Sequence, residues 1–354
     1  MRKKYFGIII GGFTLILNKF GHHFPELVER FYSRGVFVMI RQLLDTLLTW
    51  LPFPALYLFF LGMIIFWILG IKKFRKNKRP FKQRLRDTFI SWLNGIGWLI
   101  FWFYWIWGFN YARIPIEVQL GLEVKPITLE QIEVKMKKEA HLLDSIRQQI
   151  HNSDTMAITN AYLNDDLEVE LRANLVHLLK TLNYPTPGRV RGKLIYPKGI
   201  FLHFSSAGLY FPFVGEGNID AGIHALQMPS VITHEMSHGY GFGDEGTCNF
   251  LAFIANERSK SPIIAYAAHL SYYRTLAGNY LHYYPKEYSA FRKTLPVGIV
   301  ADLNAINENS LKYPDWMPKL RYFAYDQYLK SQGIKEGIEN YNRVLMLVDA
   351  WQRR

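Results

Sequence analysis

Residues 229–254 read Pro229-Ser230-Val231-Ile232-Thr233-His234-Glu235-Met236-Ser237-His238-Gly239-Tyr240-Gly241-Phe242-Gly243-Asp244-Glu245-Gly246-Thr247-Cys248-Asn249-Phe250-Leu251-Ala252-Phe253-Ile254. Pro229 and Ser230 suit the opening of a helix. Gly239, Gly241 and Gly243 suit a tight exit, after which Phe250 to Ile254 starts a new apolar run. The stretch therefore predicts a helix, a glycine turn and a second helix. At about 3.6 residues per turn, His234 and His238 share one helix face, so both imidazoles reach one metal ion. Glu235 projects beside that face, where it serves as a general base toward water at the metal. Zinc suits imidazole and carboxylate ligands in a tetrahedral site. Asp244 and Glu245 are both candidates for a third ligand, and Asp244 also suits the N-cap of the second helix. At ordinary residue frequencies the five-residue string arises by chance in roughly one chain of this length in a hundred.

Working outward, 128–151 and 164–182 have helical composition, with Asp165 and Asp166 enriched in the second opening turn. Pro185-Thr186-Pro187-Gly188 ends that region, and 190–228 is rich in Gly, Tyr, Phe and Ile without helical period. Short strands with a turn near Gly215-Glu216-Gly217-Asn218 are expected there. From Ser230 onward the pattern is helical again. The fold class predicted for the part after Tyr111 is α+β, mostly helical. Glu216 and Asn218 are substrate-side candidates on an edge strand, and Asn249 is a candidate for steadying a ligand.

The other half of the architecture is apolar. Segments 54–71 and 89–109 approach the ~20 residues needed to cross a hydrocarbon layer, and 5–20 is a shorter third candidate. Residues 1–110 thus form an expected membrane region of three transmembrane helices, and 111–354 a second domain. The nine Lys and Arg residues of Lys72–Arg86 form a loop expected on the cytoplasmic side, which puts 111–354 outside the cytoplasm.

Net charge is +13, but 1–110 holds 16 Lys and Arg against 4 Asp and Glu, leaving the remainder nearly neutral. A nucleic-acid binder keeps its basic face on the folded domain, so that partner class is excluded. Cys248 is the single cysteine, which rules out an intramolecular disulfide.

The run His234 to Ala252, of the form H-E-x-x-H-x-x-G-x-x-x-E-x-x-x-N-F, resembles a bacterial multipass membrane family of unknown function with a zincin-like metallopeptidase domain. Phe31-Tyr32-Ser33, Leu51-Pro52-Phe53, Tyr210 to Ile219 and Tyr325-Asp326-Gln327-Tyr328-Leu329-Lys330 carry the same resemblance. It implies anchorage in a bacterial inner membrane, Zn2+, and Glu245 as third ligand, as in gluzincin-type sites. A metzincin-like reading would use Asp244 instead. Many members carry a second Glu where this chain has Thr247. The function expected is a membrane-anchored zinc metallopeptidase acting on protein or peptide substrates. A non-catalytic zinc-binding assembly or sensor protein is the alternative.

Overall fold

A computed structural model describes residues 5–150 and 155–354. Arg2, Lys3, Lys4 and the expected helix end at His151 lie outside the described residues. The chain divides into two compact units. One is the chain through Ile114 with two returning segments, Pro187–Arg189 and Phe211–Glu216; the other holds the rest.

The first unit is built from α1 (Phe6–Gly21), α2 (Phe37–Leu48), α3 (Leu56–Lys76) and α4 (Phe81–Ile106). α3 and α4 are long and apolar enough to cross a membrane. Their apolar side chains point outward instead of into a core. The first segment corrects the three-span expectation. Its 16 residues rise about 24 Å, short of a hydrocarbon layer of ~30 Å. Instead α1 packs on α4 through glycines. A Cβ on Gly11 would lie 2.6 Å from the Gly97 carbonyl oxygen, and the Gly7 N–H donates to Asn94 Oδ1 at 2.7 Å. Small residues let helix backbones approach this closely in apolar surroundings.

The basic segment is also not a loop. Lys72 to Lys76 end α3 and Phe81 to Arg86 begin α4, with a short turn between. Lys and Arg are good helix formers, and at a helix C-terminus they complement the macrodipole. Pro80 then starts α4.

Residues Val28–Val36 wind as a π-helix. The Tyr32 hydroxyl lies 3.1 Å from the carbonyl oxygens of both Tyr104 and Trp105. These belong to the last turn of α4, where carbonyls have no helical partner. On α2, Arg41 is fully buried and pairs with Asp45 one turn on, while also donating to the Gly215 carbonyl. Asp45 accepts the Arg189 N–H at 2.8 Å. A buried guanidinium is tolerated only when its charge is matched in this way.

The second unit is α+β and mostly helical. It contains α5 (Leu129–Arg147), α6 (Leu167–Thr181), β1 (Arg191–Ile195), β2 (Gly208–Phe211), β3 (Glu216–Asp220), α7 (Met228–Gly239), α8 (Glu245–Asn256), α9 (Pro262–Tyr283), α10 (Val297–Leu311), α11 (Pro318–Ser331) and α12 (Arg343–Gln352). The sheet order is β1-β3-β2. α5 opens on a capping box in which Thr128 and Gln131 satisfy each other's backbone N–H groups.

α7 sits at the centre, its residues from Ile232 to Gly239 all buried. Thr233 and Ser237 are polar but self-satisfied, each hydroxyl donating to the carbonyl four residues back at 2.8 Å. Asn256 of α8 adds a bond to the Thr233 hydroxyl at 2.9 Å. Phe250, Leu251, Tyr266 and Tyr273 complete the surrounding core.

Candidate metal centre

α7 ends at Gly239, and Gly241 adopts φ +88, a left-handed conformation that glycine alone takes without strain. The chain turns there so that the Phe242 carbonyl accepts His238 Nδ1–H at 2.7 Å. Asp244 then caps α8, accepting the Thr247 N–H at 2.6 Å. Its other carboxylate oxygen receives Asn340 Nδ2 at 2.8 Å and the Arg343 guanidinium at 3.0 Å. With Asp244 committed to these donors, Glu245 enters the first turn of α8 facing the histidines.

The result is a compact triangle. His234 Nε2 lies 3.0 Å from Glu245 Oε2 and 3.1 Å from His238 Nε2, and the third side, His238 Nε2 to Glu245 Oε2, is 3.4 Å. His234 directs its other ring nitrogen to Asn249 Oδ1 at 2.8 Å. When both rings are neutral and donate Nδ1–H, both Nε2 atoms turn lone pairs toward a carboxylate oxygen. Three converging acceptors repel unless a proton or a cation sits among them. Ligands at about 2.0–2.1 Å from a tetrahedral ion stand about 3.3–3.4 Å apart, so the triangle is close to the size of a zinc site. The donor set of two imidazoles and a carboxylate also fits that ion.

Without an ion, burial works against the charge on Glu245, but positive charge on the imidazoles of His238 and His234 outweighs it and holds the carboxyl well below the usual carboxylate range. The outward oxygen of Glu245 accepts the Tyr325 hydroxyl at 2.7 Å. That hydroxyl lies 3.3 Å from the hydroxyl of Tyr341, whose ring is nearly parallel to His234. Burial and the adjacent carboxylate raise both phenols, so they stay protonated donors at neutral pH.

Glu235 is buried between α7 and the sheet. A Cβ on Gly208 would sit 2.7 Å from its Oε1, and one on Gly217 would sit 2.6 Å from its Cβ. The Tyr210 backbone N–H bonds its carboxylate. Burial is the largest influence on Glu235 and raises its pKa, against the lowering pull of His234 and His238. The two glycines thus clear the space in which this carboxylate lies.

Other expected residues fall elsewhere. Glu216 is fully buried in the first unit and accepts the Ala55 N–H at 2.7 Å. Asn218 is buried in the central strand and donates to the Leu209 carbonyl at 3.3 Å. On a strand, alternation turns Gly217 toward Glu235 and its two neighbours away. Cys248 lies 3.3 Å from His238 Nδ1, the ring nitrogen opposite the triangle, and burial pushes its thiol up to about 11. It is therefore a protonated core residue. Tyr341, Asn340 and Arg343 were not expected at the site. They arrive about a hundred residues downstream, with no local spacing to announce them.

No curated protein and no solved structure matches the chain. A family described as "Protein of unknown function (DUF3810)" matches residues 32–348, nearly the whole sequence. The site and both apolar helices lie inside that match, and the chain belongs to this family.

Proposed function

We propose that the protein is a membrane-anchored zinc metallopeptidase, with His234, His238 and Glu245 as zinc ligands and Glu235 as general base. The observation that carries the reading is the triangle of two Nε2 atoms and one carboxylate oxygen with a buried carboxylate beside it. Zinc held there would supply a Lewis acid and an acidified water. Glu235, with its proton affinity raised by burial, is suited to take the proton of an attacking water and pass it to the leaving amine. Tyr325 fixes the outward oxygen of Glu245, leaving the inward one for the ion.

The burial of the whole group favours a second reading, a non-catalytic zinc-binding assembly or sensor protein. Metal analysis of the purified protein, combined with a digest of an unbiased peptide library, separates the two. Zinc near one per chain with cleavage supports the peptidase; zinc without cleavage supports the second reading. Absence of zinc sinks both.

Asn249→Ala is expected to weaken zinc binding by about 10–100-fold, the usual effect of removing a partner that orients a ligating histidine. Competition against a chromophoric chelator measures it, and Asn249→Asp, which keeps an acceptor oxygen, is expected to retain most of the affinity.

α3 and α4 supply the membrane anchor in this reading, and the basic turn between them faces the cytoplasm. The second unit then lies on the other side. A reporter active only outside the cytoplasm is expected to be active after Arg354 and silent when inserted at Asn77. The reverse pattern would overturn this orientation.

A further inference from the structure

α11 is apolar on two sides. Its inner side carries Tyr325, bonded to Glu245, and the fully buried Leu329. Its outer side carries a stripe that the second unit leaves in solvent. Trp316 is 63% exposed, Leu320 62% and Phe323 63%, with Met317 beside them. Leu320 and Phe323 lie three apart on one face of α11, and Trp316 and Met317 come from the segment that leads into it.

The stripe is braced. The Trp316 backbone N–H donates to the His203 carbonyl at 2.9 Å, and the Trp316 ring stacks on His203 at 4.3 Å and meets Phe204 edge-on at 5.6 Å. The loop beneath is tied by Ser205 to Asp315 at 2.6 Å and by Arg321 to Asp315 at 2.8 Å. Trp316 is thereby held in place while most of its surface stays exposed.

Charge around the stripe is basic at one end. The first turn of α11 holds Lys319 and no acidic residue, while Arg321 is paired with Asp315. Lys319 lies one turn before Phe323, on the same face. Tryptophan and phenylalanine beside lysine form the composition of helices that lie in a lipid headgroup layer. The second unit begins at Pro115, directly after the unit that carries α3 and α4. A bilayer spanned by those helices is a surface the second unit cannot leave, and so short a tether makes even a weak contact persistent.

We propose that the outer face of α11 docks in the headgroup layer of a lipid bilayer, with Trp316, Leu320 and Phe323 inserted and Lys319 at the phosphates. The proposal rests on the membrane reading of α3 and α4 but not on zinc or catalysis.

The test uses the full chain reconstituted in vesicles of phosphatidylcholine and phosphatidylglycerol. A polarity-sensitive fluorophore is attached at Leu320→Cys, Phe323→Cys, Lys138→Cys at an exposed position of α5, or Ile65→Cys within α3; the buried natural Cys248 serves as the unlabelled background. Blue-shifted emission at 320 and 323, lost for the most part when the lipids carry nitroxide quenchers, is the expected result, with Lys138→Cys remaining water-like and unquenched. Lipid quenching at 65 with water-like emission at 320 and 323 overturns the docking alone. No quenching at 65 overturns the membrane reading and the docking with it. A blue shift at 320 and 323 without quenching by lipid means that protein, such as a second copy of the chain, covers the face, and this also overturns the proposal.

Discussion

Replacing Glu235 with glutamine is expected to leave the fold and bound zinc intact while lowering peptide turnover by about 10²–10⁴-fold. The substitution keeps the volume between Gly208 and Gly217, where a larger group would collide with the strands. It also keeps an oxygen to accept the Tyr210 N–H. What it removes is the proton acceptor. Steady-state kinetics on the best library peptide, with metal content and circular dichroism on the same preparation, make the comparison. Turnover unchanged in a folded, zinc-loaded Glu235→Gln protein would remove the proposed mechanism and leave the non-catalytic reading standing.

Glu245→Ala is expected to have the largest effect on the metal, lowering affinity by more than about 100-fold, beyond what loss of an orienting partner costs. The side chain supplies one corner of the triangle and its only carboxylate. Asp244→Ala is the matched control, one residue away. Asp244 accepts from Thr247, Asn340 and Arg343 and points none of its oxygens at the histidines. Losing the cap costs about 1 kcal/mol of stability. Arg343 retains Glu117 as a partner, so that change does not strand the guanidinium. Thermal unfolding and bound zinc, measured on both variants, are expected to move in opposite proportion. Stoichiometric zinc in Glu245→Ala with its loss in Asp244→Ala would transfer the ligand to Asp244.

Local chemistry made part of this architecture legible from the chain. Thr128 with Gln131, Pro229 before the motif, and Asp244 before Glu245 are helix-start signals that act over three or four residues. The i, i+4 histidines and the glycines after them belong to the same short range. The apolar length of α3 and α4 needs only composition to be seen. Misreadings arose where a local pattern has two physical outcomes. A basic cluster reads as a loop, yet lysine and arginine propagate helices as readily as they face water. An apolar segment of 16 residues reads as a span, yet its helix rises only about 24 Å. Glu216 beside a glycine turn looks like a rim residue, but its carboxylate is drawn to the Ala55 N–H, 161 residues away along the chain. Tyr325, Tyr341, Asn340 and Arg343 surround the triangle and its cap through contacts spanning 80 to 99 residues or through ring packing on His234. Nothing in the spacing of a single chain encodes such pairings.

The triangle itself is confined to the twelve residues from His234 to Glu245. Closing so short a loop carries little entropic cost. During synthesis, all three proposed ligands therefore emerge close together, before Tyr325, Asn340 and Arg343 have been made. In the proposed reading, ion capture would need only α7, the glycine turn and the start of α8, and the later helices would then close over the centre. A chain interrupted before Pro318 would carry every proposed metal-binding atom of the site and none of the tyrosines that enclose it.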